Sequence, residues 1–438
     1  MALRIEPLIH SVFSLAALVA LNLWLIVHLP SRIWEALQGT MLLTLGPIAV
    51  WRYGWWLLHL VRSSIYAQIV FPKMRKRARK VWESGWRPSM IHFLMTTYRE
   101  DPGITRGVLE SVLANLRRAK IRARIVIGTG DKFDEDVIEA IIDGVDDVDV
   151  EVVFVRQNQG GKRAAMGLVL RAMSRKGVGQ DDLVVFMDGD AMLGENVIES
   201  CASLFPLYPK LGAVTTDEDA IVRGPAWMQT WCDMRFAQRR LAMQSHSLSK
   251  KVLTLTGRLS VFRAPIVVEE KFIRILEADH LDDWLWGRFR FLSGDDKSTW
   301  FSMLGDGWEM LYVRDAYVTT IEVIKEKPFL RAQQNLLRWS GNMLRNGSRA
   351  LALGPNKVGW FIWWCVLDQR ISIWTSLSGL AMALVLSVAE TWEIMLGYLV
   401  WVLVTRSLVS LVLCCYSGRI TIGYPFLLYG NQVLTSTI

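Results

Sequence analysis

Asp188-Gly189-Asp190 stands directly behind the apolar run Leu183–Met187. Two carboxylates at i and i+2 behind a strand can face a nucleoside diphosphate and hold Mg²⁺ or Mn²⁺, which take one or two carboxylates plus phosphate oxygens and water. Alone, such a triplet is more often a solvated turn, so the flanking chemistry has to decide. Thr97-Tyr98-Arg99-Glu100 follows a second apolar run and could hold a base and ribose. In Gly160-Gly161-Lys162-Arg163 the glycines allow close backbone approach and Lys162 can meet phosphate. Cations at a helix start oppose the helix dipole, a conflict that an anionic ligand would remove; the plainer alternative is an ordinary basic helix start. In Gly294-Asp295-Asp296-Lys297 a carboxylate could accept a proton from an attacking hydroxyl, or it could cap the run Lys297–Leu304. Arg338-Trp339, after Pro328, suits either snorkelling at a membrane boundary or closure of a site from above.

These residues need a scaffold, and residues 87–325 supply the pattern of one. Met90–Met95, Ile125–Gly128, Val150–Val155 and Leu183–Met187 read as buried strands, and Val108, Leu109, Val112, Leu113 and Leu116 form a helical stripe between the first two. Strand–helix–strand repetition predicts a mostly parallel α/β sheet with helices on both faces and ligands at the carboxyl ends of the strands.

The ends of the chain differ in texture. Of the 20 Trp, 14 lie in residues 1–86 and 339–438, and Trp favours the membrane–water boundary. Ser11–Leu29 and Thr40–Val61 are span candidates before the central domain, and Ile371–Val388, Ile394–Cys415 and Ile422–Ile438 after it. The expected division is 1–72 membrane, 73–327 cytosolic catalytic domain, 328–370 amphipathic interface helices and 371–438 membrane. Six cations between Lys73 and Lys80 follow the second span, which predicts that the domain is cytoplasmic and beside anionic lipid. The formal charge of +8 therefore has a membrane address, and no nucleic acid partner is expected. The 5 Cys show no disulfide framework and the 6 His no paired spacing, which argues against a secreted scaffold or a zinc enzyme.

Taken together, the motifs resemble the processive, membrane-embedded family 2 glycosyltransferases that make cellulose, hyaluronan, chitin and alginate. The resemblance implies a GT-A domain between transmembrane helices. It assigns base binding to Thr97, Tyr98, Arg99 and Glu100, phosphate binding to Lys162 and Arg163, metal binding to Asp188 and Asp190, and proton abstraction to Asp296 beside Asp295. Asp190 would assist catalysis through the metal. Arg338 and Trp339 would cover the acceptor, and Arg338 with Asn335 would also contact the nucleotide, Arg338 offsetting phosphate charge. Two departures stand out: Asn335 replaces the family's Gln in Gln-x-x-Arg-Trp, and Gly130-Asp131-Lys132 replaces its Asp-Asp-Gly, leaving Asp131 as a nucleotide contact. Leu255–Ala264, Gly294–Ser302, Arg338–Asn342 and Asp368–Arg370 are most similar to the alginate-polymerising members, a likeness over about residues 210–435.

That likeness implies GDP-mannuronate as donor and β-1,4-polymannuronate as product, exported through the enzyme's own helices in a bacterial inner membrane. It further implies a separate co-polymerase that binds cyclic-di-GMP. Gly257 belongs to the acceptor-side segment, while Arg258, Arg263 and Lys297 could pair with uronate carboxylates. Arg406, inside a span, could line the export path or pair with another span. The alternatives are another β-linked polymer made from a UDP-sugar, a non-processive enzyme acting on a lipid carrier, and a non-catalytic membrane scaffold.

Overall fold

The computed structural model describes residues 5–38, 40–157, 161–283, 287–290, 294–324 and 327–437. Each predicted strand run is a strand: Ile91–Thr97 (β1), Ala123–Thr129 (β2), Val150–Arg156 (β3) and Leu183–Asp188 (β4). They continue into Ala191–Leu193 (β5), Leu211–Arg223 (β6), Leu259–Arg263 (β7), His280–Asp283 (β8), Gly287–Arg290 (β9) and Glu309–Val323 (β10). Eight of these form one sheet in the order β3-β2-β1-β4-β7-β6-β10-β5, while β8 and β9 pair with each other. The sheet is parallel except that β7 runs against β4 and β6, and β5 against β10.

Side-chain parity explains the unbroken apolar runs. Phe93, Met95, Ile125, Ile127, Val185 and Met187 enter one core, and Leu94, Val126, Val184 and Phe186 enter the other, so neither face of the central strands meets water. The first core is closed by the Pro102–Ala119 helix through Val108, Leu109, Val112 and Leu116. Asp101 caps this helix by accepting from the Gly103 and Ile104 amides. The second core is closed by Met166, Val169, Leu170 and Met173 of the Lys162–Lys176 helix.

The flanking helices refine the expected boundaries. Ser11–His28, Trp360–Ala389 and Glu393–Tyr416 are long and apolar enough to cross a membrane. The second of these begins at Trp360 rather than Ile371, so it overlaps the region expected to be interfacial. Thr40–Ile65 is one helix, and its Arg52 is joined to Asp368 at 3.1 Å, which pairs the charge that interrupts that apolar segment. The last expected span, Ile422–Ile438, holds the helix Tyr424–Thr437. Part of the basic cluster also turns inward. Arg75 is buried and bonds Asp315 and the Ser200 carbonyl, while Lys73, Lys76, Arg77, Arg79 and Lys80 are exposed.

Candidate active site

The carboxyl ends of β1, β2 and β4 and the starts of two helices converge on one place. Lys162 opens its helix behind Gly161, whose φ of 127° suits glycine. Its Nζ lies 2.6 Å from Asp188 Oδ1 and 2.9 Å from Asp295 Oδ2. The anionic partner wanted at this helix start is thus supplied from within the chain, by the end of β4 and the start of the Asp295–Gly305 helix. Burial opposes the charge on Lys162, but Asp295 and Asp188 outweigh it and hold the ammonium protonated above its usual range. Gly257 borders this pair: a Cβ there would stand in ordinary contact, 3.5 Å from both Asp188 Oδ2 and Lys162 Nζ. Gly160 lies outside the described residues.

The two neighbouring aspartates are driven apart by their surroundings. For Asp295, burial is overcome by Lys162 and the pKa falls below the ordinary carboxylate value. For Asp296, burial and the adjacent Asp295 charge both raise it, with Lys297 opposing. Asp296 Oδ2 accepts from Thr254 Oγ1 at 3.4 Å. Of the pair, Asp296 is therefore the one suited to take a proton. Asp190 is pushed up to about 6, first by burial and then by Asp188. Two carboxylates whose charges repel in a half-buried turn form a donor set that fits a hard divalent cation.

The residues expected to bind the base lie beside this centre. Tyr98 is 67% exposed and therefore free to stack. Arg99 donates to Asp131 at 2.8 Å through Nε, and its amide donates to Asp134 at 2.8 Å. Asp131 also accepts from the Phe133 amide, and the Arg99 bond holds its carboxyl below the usual range. Thr97 ends β1, and Glu100 is near enough for its charge to raise Asp190. These residues are not among those that line the main cavity.

A cavity of 1410 Å³ runs from Lys162, Asp188 and Asp296 to Trp401, Arg406 and Gln432 on the terminal helices. Trp339 stands in its wall, stacked on Trp231 with centroids 5.8 Å apart and planes at 12°. Asn335 is buried one turn before Arg338, whose guanidinium is exposed and 3.5 Å from the Asn335 amide oxygen. Lys297 lines the cavity, but its Nζ donates to the Leu253 carbonyl and burial pulls it down to about 8. Arg258 faces the same cavity and is paired with Glu322 at 2.7 Å.

Two expected contacts find other employment. Arg263 donates to the Leu211, Phe205 and Tyr208 carbonyls and is not among the cavity-lining residues, so it holds the start of β6 rather than facing a sugar. Arg163 lines the cavity yet donates to the Leu276 and Ile275 carbonyls, capping the Glu270–Glu277 helix, and to Ser298. Sequence reasoning missed the buried network behind Arg258. Glu218 binds Arg239 at 3.0 Å and accepts from Thr256 at 2.7 Å. Asp217 binds Arg240 at 2.9 Å. The signal was three successive acids within an apolar strand and two successive arginines on the following helix.

A mostly parallel sheet with a metal-type Asp-x-Asp turn, a basic helix start and a paired aspartate facing it defines a GT-A sugar-transfer site. The profile described as "Glycosyltransferase like family 2" matches residues 88–342, and this chain belongs to that glycosyltransferase family. It is 37% identical over 418 residues to glycosyltransferase alg8 of Pseudomonas syringae pv. tomato, spanning 95% of this chain and 85% of that protein. It is equally 37% identical over 416 residues to glycosyltransferase alg8 of Azotobacter vinelandii, spanning 94% and 84%. An N-acetylglucosaminyltransferase of Rhizobium meliloti is 25% identical over 269 residues, 60% of this chain and 58% of that one. Among solved structures, a mannosyltransferase of Pyrobaculum calidifontis in complex with GDP-Man and Mn²⁺ superposes with a TM-score of 0.54 at 14% identity. That match covers 87% of this chain and 97% of the other and shows the shared fold.

Proposed function

We propose that this membrane glycosyltransferase is a processive, inverting polysaccharide synthase that polymerises GDP-mannuronate into β-1,4-polymannuronate. The observation that carries this reading is the cavity, which is continuous from Asp188 and Asp296 to the apolar terminal helices. Such a space suits a chain that grows at one end and leaves at the other. Similarity to the two alg8 glycosyltransferases over nearly the whole length supports alginate chemistry. The multi-pass arrangement then belongs to a bacterial inner membrane, with the catalytic domain cytoplasmic and a separate cyclic-di-GMP-binding co-polymerase as partner.

In this mechanism Tyr98 stacks on the donor base, and Glu100, Arg99 and Asp131 frame the ribose. Asp188 and Asp190 would hold Mg²⁺ or Mn²⁺, which when bound offsets charge on the departing diphosphate. Lys162 bridges that side to Asp295 and adds a cation next to the phosphates. Asp296, raised by burial and by Asp295, takes the proton of the acceptor hydroxyl as that oxygen attacks the anomeric carbon from the face opposite the leaving group. Trp339 stacks on the acceptor sugar, and Arg338 stands one residue before it, at the cavity wall. Arg258 stays paired with Glu322 and shapes the wall near Asp190.

Washed membranes given GDP-mannuronate, UDP-glucose, UDP-glucuronate and UDP-N-acetylglucosamine separately, each with Mg²⁺ or Mn²⁺, test the reading. High-mass polymer is expected from GDP-mannuronate alone. Polymer from a UDP-sugar and none from GDP-mannuronate would overturn the donor, and single-sugar products would overturn processivity.

A further inference from the structure

The charged side chains of the cavity wall are unevenly matched. Near the proposed metal site, Asp190 and Asp296 line the wall and neither takes part in a direct ion pair among the described residues. Other lining acids are already matched: Asp368 by Arg52, Glu322 by Arg258 and Glu218 by Arg239. Four arginines of the same lining, Arg235, Arg331, Arg338 and Arg406, have no carboxylate partner among the described residues.

Two of the four are placed where an unmatched charge is costly. Arg235 is half-buried, with its guanidinium 5.3 Å over the Trp339 ring, and Trp339 lies on Trp231. The Trp231 indole donates to Asn431, which carries the path to the last helix. Arg406 lies inside the apolar Glu393–Tyr416 helix, and its Nε has no hydrogen-bond partner. The Gln432 side-chain oxygen, in the same wall, has none either. A guanidinium inside an apolar span is retained when a ligand or pathway needs it, and its planar fork matches a carboxylate in two-point contact.

We infer that Arg235 and Arg406 are successive carboxylate-binding positions for the outgoing polymer, which makes this cavity selective for a polyuronate over a neutral glycan. The inference rests on the polymannuronate reading and deepens it, since each added residue of that product carries one carboxylate. Arg235 beside the Trp231–Trp339 stack offers a ring platform and a cation together, as a uronate has both an apolar sugar face and a charge. Arg406 takes over farther along, among Tyr398, Trp401 and Gln432. Neutral sugars would leave both guanidinium groups without a partner and gain only the stacking.

The test is binding of mannuronate oligomers and of uncharged β-1,4-mannose oligomers to the purified full chain in detergent, beside GDP binding as a control. Wild type should prefer the charged oligomer, with affinity falling as salt rises. Arg235→Gln and Arg406→Gln should each weaken it by tenfold or more while GDP affinity is unchanged, and Arg235→Lys and Arg406→Lys should restore part of the loss. Charged-oligomer affinity that is unaltered in both glutamine variants would overturn the arginine assignment and leave the polymer reading standing. A wild type that prefers the neutral oligomer would overturn the polymer reading itself. If the glutamine variants lose only copurifying anionic lipid, the arginines belong to lipid headgroups and the inference fails.

Discussion

Lys162 Nζ stands 2.9 Å from Asp295 Oδ2, joining a helix that begins after β3 to one that begins more than a hundred residues later. The same ammonium contacts Asp188, so the end of β4 and the Asp295–Asp296 helix start share one cation. Asp295 is thereby occupied, and its neighbour Asp296 is left as the carboxylate with a raised pKa. A pair of adjacent aspartates is in this way divided into one carboxyl held below its usual pKa and one raised above it, the division the proposed mechanism uses.

Asp296→Asn keeps the shape of the base and removes its proton affinity. Turnover should fall by about 10²–10⁴, the usual contribution of a positioned base, while GDP binding is retained. Radiolabelled sugar transfer and nucleotide titration on the same membranes read both. Transfer at the wild-type rate would remove Asp296 from the mechanism.

The pH profile follows from the sign of the shift. A base works when deprotonated, and the Asp296 pKa is raised, so turnover should decline on acidification at a pH above the ordinary Asp value of about 3.9. Asp295→Asn removes the neighbouring negative charge and should move that acidic limb downward. An unshifted limb in Asp295→Asn would show that another group sets it.

Gly294 has φ of 101°, and a Cβ there would sit 2.4 Å from Asn342 Nδ2 on the Pro328–Ala352 helix. Gly294→Ala should misplace Asp295 and Asp296 relative to Arg338, at a strain cost of about 1–3 kcal/mol. A shift near an ångström is worth roughly 10²-fold in rate. The measurement is turnover beside circular dichroism, with secondary structure expected to be unchanged.

Arg263→Ala discriminates a structural arginine from a sugar-binding one. Loss of its bonds to three carbonyls should lower stability by about 1–3 kcal/mol, seen as a lower melting temperature, without changing the donor KM. A raised KM at unaltered stability would return Arg263 to the site.

Chelation should abolish transfer, because the doubled charge at Asp188 and Asp190 repels a diphosphate. Mg²⁺ or Mn²⁺ should restore it in wild type and fail to do so in Asp190→Asn. Full activity in excess EDTA would exclude a metal role for the turn.

The alternation of apolar runs with helical stripes was enough to predict β1 to β4 and the Pro102–Ala119 helix, because local periodicity alone decides which faces must be buried. The Asp188–Asp190 turn, Lys162 and Asp296 were legible as well, since each stands next to a strand or helix start. The reversed β7, the inward turn of Arg75 and the employment of Arg263 on carbonyls were not. Each depends on partners tens to hundreds of residues away, and a guanidinium in a sequence carries no mark of whether a carboxylate, a carbonyl or a ligand will satisfy it. The Trp-rich ends suggested membrane helices, but only the tertiary structure brings Trp231 against Trp339 and leaves Arg235 and Arg406 in one cavity. Residue type fixes what a side chain can bind, whereas packing decides what is left for it to bind.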